Sequence, residues 1–223
     1  MHVNKDLKMT PILVSVEGNI GAGKTTLFSA LQARNPHWCF VPEPVTTWTS
    51  FRNNQGESLL QVFYENPRRW SYTFQNCALL TRCLSIEGSV GATRASGQTG
   101  KQLFVTERCL DTDRHVFTKT LVADGYLDKL ENELHSQFFD AMKLTATPLS
   151  AIVHVCTDPT ECAQRIRSRA REGEDCISTE YLKALHNRHT DWLGSLAISV
   201  HTTDMQSTTA MEDLEAFMVS LLE

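Results

Sequence analysis

Short apolar runs recur along the chain, each bounded by glycine, proline or polar turn residues. Such runs are typical of strands that are covered on both faces, as in a parallel sheet. The pattern predicts five strands, at residues 11–16, 38–41, 102–106, 150–156 and 197–201.

Longer segments with apolar residues at helical spacing separate these runs. They predict a helix starting at residue 159 and others at residues 24–34, 57–87, 127–144, 178–192 and 211–222. Pro67 divides the segment at residues 57–87 into two helices or marks a break within one helix. Residues 88–101, rich in Gly, Ser, Thr and Ala, predict a mobile loop. The alternation predicts one α/β domain over residues 1–223, with helices on both faces of a five-stranded parallel sheet.

Composition narrows the range of partners. The chain has 223 residues and a net charge of −5, from 21 Lys+Arg against 26 Asp+Glu. Without a lysine-rich tail or an arginine-rich arm, it lacks the electrostatic footprint of a nucleic-acid binder. The longest uncharged run, residues 144–157, is too short to span a bilayer. We therefore expect neither a nucleic acid nor a membrane among its partners.

The cysteines and the first residues bear on location. Seven cysteines without a Cys-x-x-Cys pair favour buried free thiols in a reducing compartment over a disulfide framework or a zinc site. Residues 1–9 carry charge and lack an apolar segment, which argues against a secretory signal. We expect a cytoplasmic protein.

The most specific motif follows the first predicted strand. Its pattern, Gly-x-x-x-x-Gly-Lys-Thr, is that of a phosphate loop: Gly18-Asn19-Ile20-Gly21-Ala22-Gly23-Lys24-Thr25, continued by Thr26. Glycines let successive backbone N–H groups face one point, and the helix N-terminus adds positive potential there. The motif predicts a nucleoside triphosphate such as ATP, with Lys24 at its β- and γ-phosphates and the Thr25 hydroxyl on Mg²⁺.

Charged residues stand at the carboxyl ends of two further predicted strands. Glu43 lies between two prolines after the second strand, and Glu107 and Arg108 follow the third. Ligands of open α/β sheets bind at this edge. Glu43 alone would be an ordinary polar turn residue. Together the three side chains predict a site that faces the phosphate loop.

The helix that starts at residue 159 carries four arginines. Arg165 shares a helix face with Arg169, and Arg167 shares one with Arg171. Two interpretations fit this pattern: a solvated face paired with the acidic residues that follow, or a lid that closes over phosphate. The second interpretation defines an arginine lid at residues 165–176.

These pieces favour phosphoryl transfer, which needs positioned phosphates, neutralised charge and an acceptor oxygen aimed in line. Lys24, Mg²⁺ and the lid arginines supply the first two. Glu43 suits an uncharged hydroxyl acceptor as its general base. A carboxylate there would repel an acceptor that already carries a phosphate.

The order of these motifs resembles the deoxyribonucleoside kinase family, which includes deoxycytidine, deoxyguanosine and mitochondrial-type thymidine kinases. The resemblance covers most of the chain, from residue 14 to about residue 192. It implies a P-loop kinase that uses ATP and Mg²⁺ to phosphorylate the 5′-hydroxyl of a deoxynucleoside in nucleotide salvage. It also implies a homodimer packed through the long helices.

The resemblance implies catalytic roles for matching residues. Glu43 would be the base acting on the 5′-hydroxyl, and Arg108 would steady that oxygen and the transferred phosphate. Thr25 and Glu107 would hold Mg²⁺. The lid arginines that would stabilise charge on the moving phosphoryl group are Arg165, Arg169 and Arg171.

Substrate contacts follow from the same resemblance. Tyr64 and Glu174 would bind the sugar 3′-hydroxyl, and Gln75 would read the base edge. The aromatic residues that would pack on the base are Trp48, Phe74 and Phe117. Gly173 stands where the family has an acidic lid residue, which predicts a more flexible lid. The adenine-binding loop is expected near residues 203–205.

Base preference is expected to depend on three matching positions, Ala78, Arg82 and Asp113. An ionised aspartate only accepts hydrogen bonds, so Asp113 suits the amino group of cytosine or adenine, or the N–H edge of guanine, and disfavours thymine O4. Arg82 would also crowd a 5-methyl group. We expect deoxycytidine or a purine deoxynucleoside to be preferred over thymidine, unless Arg82 and Asp113 serve only to pair with each other.

Several alternatives stay open. A nucleoside-monophosphate kinase needs a basic acceptor site beside the phosphate loop, where this chain has Glu43. A GTPase switch needs an Asn-Lys-x-Asp motif after the later strands, and none is found there. Within the family, a thymidine-preferring or broad-specificity deoxynucleoside kinase is the alternative.

Overall fold

A computed structural model of the chain describes residues 8–194, 196–201 and 207–223. Within these ranges a five-stranded parallel sheet has the strand order β2-β3-β1-β4-β5. The strands are β1 (Thr10–Gly18), β2 (Cys39–Val41), β3 (Lys101–Glu107), β4 (Leu149–Cys156) and β5 (Ile198–His201). Each coincides with a predicted strand, apart from small shifts at the ends. The α/β fold expected from the apolar runs is confirmed.

Helices flank this sheet. They are α1 (Lys24–Arg34), α2 (Val45–Ser50), α3 (Leu59–Glu65), α4 (Pro67–Ala95), α5 (Leu110–Thr112), α6 (Lys119–Ala123), α7 (Lys129–Lys143), α8 (Pro159–Arg169), α9 (Thr179–Leu193) and α10 (Thr208–Ser220). A π-helical turn, Asp113–Thr118, joins α5 to α6, and a 3₁₀ turn, Glu174–Cys176, precedes α9.

Local chemistry sets several helix ends where the sequence predicted them. Asp158 caps α8 by accepting from Thr160 N, and Ser178 caps α9 by accepting from Tyr181 N. Pro67 occupies the first turn of α4, where its missing N–H leaves no hydrogen bond unmade. The segment divided by this proline therefore forms two helices, α3 and α4.

The predicted loop at residues 88–101 is wrong over its first half, because α4 continues to Ala95. Gly88 lies within the helix with open space around it. Glycine weakens a helix, but the neighbouring Ile86 and Val90 are buried against strands β2 and β3. Tertiary packing therefore outweighs the local composition that indicated a loop.

The thiols are less buried than expected. All seven cysteines are free, and only Cys109 and Cys162 are buried, while Cys176 is exposed. The expectation of buried thiols is thus wrong for most of them.

In the described ranges, the helices are too short or too polar to cross a membrane. Two predictions fall outside the described residues. They are the adenine-binding loop near residues 203–205 and the absence of a secretory signal, which depends on residues 1–7.

Sheet register builds the functional edge. β1 pairs with β3 from Thr10 beside Lys101 to Val16 beside Glu107. The end of β1, where the phosphate loop starts, therefore lies next to the end of β3. The phosphate loop leads directly into α1, and residues 42–44 leave β2 at the same edge.

Candidate active site

The phosphate loop folds tightly against its neighbours. Gly21 has φ +76°, and a Cβ there would lie 2.6 Å from the carbonyl oxygen of Cys162. Gly18, at φ +144°, is equally close to the carbonyl oxygen of Val155. Glycine is therefore required at both positions, since any side chain would strain the turn and clash with backbone.

Lys24 begins α1 at the floor of the site. Its ammonium group is buried and donates to the carbonyl oxygen of Asn19 at 2.9 Å. Burial, together with the nearby charge of Arg108, lowers the pKa of Lys24 to about 8. An anion bound in the loop would favour the charged form of this lysine.

One cavity of about 500 Å³ opens beside the loop. It collects nearly every residue that the sequence analysis placed in a site. The phosphate-loop and metal-binding candidates that line it are Ile20, Gly21, Gly23, Lys24, Thr25, Thr26 and Glu107. The remaining candidates that line it are Glu43, Trp48, Tyr64, Phe74, Gln75, Ala78, Arg82, Arg108, Asp113, Phe117, Arg165, Arg169, Arg171 and Glu174.

Three members of the predicted phosphate loop are not among the lining residues. Gly18 and Ala22 pack into the protein, and Asn19 supports the loop from behind. The Asn19 amide donates to the carbonyl oxygen of Leu182 at 2.8 Å, and its side-chain oxygen accepts from Ile20 N. These residues shape the loop without facing the cavity.

Glu43 is fixed by two arginines. Its Oε1 accepts from Arg82 Nη2 at 2.8 Å and lies 3.1 Å from Arg108 Nε. Burial alone raises the pKa of a carboxyl group, but Arg108, Arg82 and Lys24 outweigh it and hold the pKa of Glu43 below its ordinary value. Glu43 is therefore an ionised carboxylate at neutral pH.

Arg82 also forms a direct ion pair with Asp113, and both side chains are buried. Burial raises the pKa of Asp113 to about 6, against the opposing effect of Arg82. Asp113 is thus ionised at neutral pH and only accepts hydrogen bonds. The two residues pair with each other and also line the cavity, so pairing does not remove them from the site.

Thr25 and Glu107 meet at the end of β3. The Thr25 hydroxyl lies 3.0 and 3.1 Å from the two carboxylate oxygens of Glu107. A hydroxyl and a carboxylate beside a phosphate loop are oxygen donors of the kind that Mg²⁺ prefers. The described residues contain no cluster of three or more His, Cys, Asp or Glu side chains for a metal. A magnesium ion held here would take its remaining ligands from phosphates and water.

The arginine lid is organised by one acidic residue. Glu174 is buried and accepts from Arg169 at 2.7–3.0 Å and from Arg171 at 3.1 Å. The predicted shared face of Arg167 and Arg171 is wrong, because α8 ends at Arg169 and Ala170 adopts a left-handed conformation.

Arg165 lies one turn earlier in α8. It donates to the carbonyl oxygen of Ala22 at 3.0 Å and pairs with Glu161. The lid is thereby tied to the phosphate loop at its first arginine, and its later arginines converge on Glu174.

Aromatic side chains form the opposite wall. Phe74 contacts Trp48 edge to face at 5.3 Å and is stacked on Phe63 at 4.4 Å. Sequence reasoning missed four lining residues: Pro42, Val45, Leu60 and Phe63. The apolar spacing of Leu60 and Phe63 in a helix was visible, but it could not separate a cavity wall from ordinary core.

Polar groups on this wall remain available to a ligand. Gln75 is buried, and its Oε1 has no hydrogen-bond partner among the described residues. Tyr64 lies near Glu174, and burial together with the charges of Glu174 and Glu43 raises the pKa of Tyr64. Its hydroxyl therefore keeps its proton at neutral pH. Arg108 lies over the ring of Phe117 at 4.9 Å.

The arrangement has two distinct halves. One half is cationic and lies at the phosphate loop and lid, which suits a polyphosphate. The other half is lined by aromatic rings with a few buried polar groups, which suits a flat heterocycle. Glu43 lines the same cavity as an ionised carboxylate and contacts Arg82 and Arg108. Such a site can deprotonate a hydroxyl group next to a bound triphosphate.

The chain also matches a family of known proteins. The family model for deoxynucleoside kinases matches residues 14–221. Deoxycytidine kinase 2 of Gallus gallus is 32% identical over 196 residues, which cover 81% of this chain and 73% of that protein.

Human and amphibian proteins are similar at the same level. Human deoxycytidine kinase is 32% identical over 195 residues, covering 81% of this chain and 74% of its own. The mitochondrial deoxyguanosine kinase of Xenopus laevis is 30% identical over 217 residues, covering 92% and 80%.

Proposed function

The chain belongs to the deoxynucleoside kinase family, and we propose that it transfers the γ-phosphate of ATP to the 5′-hydroxyl of deoxycytidine or a purine deoxynucleoside. One observation carries the proposal most directly. The ionised carboxylate of Glu43 lines the same cavity as Lys24 and the lid arginines. This shared cavity supports a base that acts on an uncharged hydroxyl next to a bound triphosphate.

In the proposed step, Glu43 accepts the proton of the 5′-hydroxyl as that oxygen attacks the γ-phosphorus. The bond from the γ-phosphorus to the bridging oxygen breaks, and a nucleoside diphosphate leaves. Arg108 contacts Glu43, lines the same cavity as the lid arginines, and steadies the charge on the transferred group. Arg165, Arg169 and Arg171 neutralise the charge that spreads over the phosphoryl oxygens.

Lys24 and the phosphate-loop N–H groups hold the β- and γ-phosphates of the donor. Thr25 and Glu107 are the residues that would hold Mg²⁺. When bound, the ion would neutralise part of the negative charge of the triphosphate. ATP is the proposed donor, as is expected for the family, although the phosphate loop itself contacts only the phosphates of a nucleoside triphosphate.

The nucleoside occupies the aromatic half of the cavity in this proposal. Tyr64 and Glu174 bind the 3′-hydroxyl, the first as a donor and the second as an acceptor. The orphaned carbonyl of Gln75 takes a hydrogen bond from the base. The rings that hold the base faces are Trp48, Phe74, Phe117 and Phe63.

The proposed preference against thymidine rests on the pair at the end of this half. Asp113, ionised at neutral pH, accepts from an exocyclic amino group and repels thymine O4. Arg82 narrows the space beside the small side chain of Ala78. The alternative interpretation of the same cavity is a thymidine-preferring or broad-specificity deoxynucleoside kinase.

We also propose a homodimer formed through α4 and α7. Large apolar side chains are exposed on both helices: Leu80, Leu84, Leu130, Leu134 and Phe138. Exposed apolar side chains on two neighbouring helices are typical of a protein interface. A cytoplasmic location is part of the proposal and is supported by the seven free thiols.

A substrate panel tests the proposed activity. Initial rates are measured with ATP and Mg²⁺ for the four deoxynucleosides and for their 5′-monophosphates. Phosphorylation of deoxycytidine or a purine deoxynucleoside, with the monophosphates inert, is expected. Turnover restricted to monophosphates would refute the proposal that the acceptor is the 5′-hydroxyl of a deoxynucleoside. Thymidine as the best substrate would refute the proposed base preference alone.

A further inference from the structure

Arg108 has a backbone conformation that arginine rarely adopts. Its φ is +68°, in the left-handed region, and Arg108 and Ala170 are the only non-glycine residues of the described ranges with positive φ. Such a strained residue persists when its surroundings over-determine it. The contacts around Arg108 therefore reveal what holds it in place.

Backbone groups on both sides of Arg108 are engaged. Arg108 N donates to the carbonyl oxygen of Val16 at 3.1 Å, and its carbonyl oxygen accepts from the Thr106 hydroxyl at 2.9 Å. The next N–H, that of Cys109, donates to Glu17 Oε1 at 2.9 Å. The last contact is made to an ionisable side chain.

Glu17 is fully buried at the end of β1, directly before the phosphate loop. The same Oε1 also accepts from the hydroxyl of Ser15 at 2.5 Å and from that of Thr112 at 2.7 Å. Its Oε2 is buried without a hydrogen-bond partner among the described residues. Glu17 is close enough to Lys24 and Arg82 to interact with their charges, but its hydrogen bonds come from neutral donors and include the backbone N–H directly after Arg108.

We propose that Glu17 is a positioning residue for Arg108, a role that rests on the proposed function. Glu17 fixes the N–H that follows the left-handed turn, and the turn sets the direction of the Arg108 side chain. That side chain reaches Glu43 Oε1 at 3.1 Å. Glu17 therefore acts on the general base through the backbone of residues 108 and 109, without touching substrate.

The first test replaces the carboxylate by an amide of the same size. Glu17→Gln keeps one acceptor oxygen but replaces the other carboxylate oxygen by an amide nitrogen, which changes the hydrogen bonding that holds the Cys109 N–H. We expect kcat to fall roughly tenfold, because small misplacements of reacting groups have large effects on rate. The KM for the deoxynucleoside should be unchanged.

Glu87→Gln is the matched control. Glu87 accepts from a backbone N–H, that of Thr147 at 2.6 Å, and from the Thr147 hydroxyl at 3.1 Å, away from the site. It loses the same kind of bonds without affecting Arg108. With rates corrected for the folded fraction, its kcat should match the wild type. A parallel fall in both variants would show a structural role only and overturn the proposal.

A double-mutant cycle separates positioning from folding. In an Arg108→Lys background, Glu17→Gln should lose its effect on kcat, because the group that it positions is gone. An equal loss in both backgrounds overturns the proposal. If Glu17→Gln does not fold, Thr112→Val is measured in the same cycle. It removes one donor to Glu17 and the second acceptor of the Cys109 N–H, and an unchanged kcat overturns the proposal.

The wild type is assayed in the same series with the substrate panel. An inactive wild type counts against the proposed function. An active wild type with an unaffected Glu17→Gln counts against the role of Glu17 alone.

Discussion

The guanidinium of Arg82 donates to Glu43 at 2.8 Å and with its other terminal nitrogen pairs with Asp113. One arginine thus connects the proposed general base to the proposed base-reading residue. Because Arg82 and Asp113 are buried and Glu43 is largely shielded from solvent, a change at one end alters the electrostatics of the other.

Base preference should change when Asp113 loses its charge. Asp113→Asn adds an amide donor that can face thymine O4, so the ratio of kcat/KM for thymidine to that for deoxycytidine should rise at least about tenfold. Arg82 would then pair with Glu43 alone and lower the basicity of Glu43, so kcat for deoxycytidine should fall. Asp111→Asn, which removes a surface partner of Lys143, is the control. An unchanged preference in Asp113→Asn would remove this residue from specificity.

Donor binding should weaken in mildly alkaline solution. The pKa of Lys24 is lowered from 10.5 to about 8 in the folded protein. Above that pH the nucleotide-free protein has a neutral lysine, and binding of a triphosphate must take up a proton. The Kd of a non-hydrolysable ATP analogue should rise about tenfold per pH unit between pH 8 and pH 10.

The effect of the same proton on folding stability has the opposite sign: donor binding weakens as pH rises, whereas the contribution of Lys24 to stability grows. Between pH 8 and 10.5 the unfolded chain keeps the Lys24 proton that the folded protein has lost. The contribution of Lys24 to the free energy of unfolding therefore increases with pH over this window.

For the binding experiment, calorimetry with adenosine in place of the ATP analogue provides the control, since adenosine has no phosphate. A pH-independent Kd for the analogue would contradict the account of Lys24.

Gly173 should be essential for closing the lid against α3. It has φ +81°, and a Cβ there would lie 2.7 Å from the Cα of Gln61. Gly173→Ala should raise KM for the deoxynucleoside and lower kcat, because Glu174 would move with the displaced turn. Gly97 has φ +82° with open space around it, so Gly97→Ala imposes the same backbone strain, about 1–2 kcal/mol, without the clash.

Steady-state kinetics and thermal unfolding of the two alanine variants separate the effect of backbone strain from the effect of the close contact with Gln61. Equal behaviour of Gly173→Ala and Gly97→Ala would show that the contact with Gln61 is unimportant. The expectation of a more flexible lid at Gly173 is not tested by the structure. What the structure adds is a close approach of backbone that only glycine allows.

The oligomeric state should depend on the exposed apolar residues of α4 and α7. Leu84 is 61% exposed and Leu130 is 64% exposed. Leu84→Lys should convert the dimer to a monomer, as measured by sedimentation, because a charge would be buried in the interface. Leu196→Lys is the control, since Leu196 is 72% exposed on another part of the surface. A wild type that sediments as a monomer would contradict the dimer.

Much of the fold could be predicted because local signals agreed with tertiary packing. Asp158 and Ser178 cap helices in isolation and do so here, and the apolar run at β4 forms a buried strand. The end of α4 could not be predicted, since Ile86 and Val90 gain their burial from distant strands.

The cavity was predictable to the extent that its residues follow strand ends. Lys24, Glu43 and Arg108 come together because parallel strands share one carboxyl edge. The contribution of Phe63 was not predictable, because core and cavity wall have the same helical spacing. Neither was the π-helical turn at Asp113–Thr118, which places Asp113 against Arg82.

The central claim is that Glu43 is the general base of the reaction. Glu43→Gln preserves size and a hydrogen-bond acceptor for the two arginines but removes the base. Its kcat with deoxycytidine or the preferred purine deoxynucleoside should fall by roughly 10²–10⁴, with the Kd of that nucleoside largely kept. A kcat close to that of the wild type would contradict the claim.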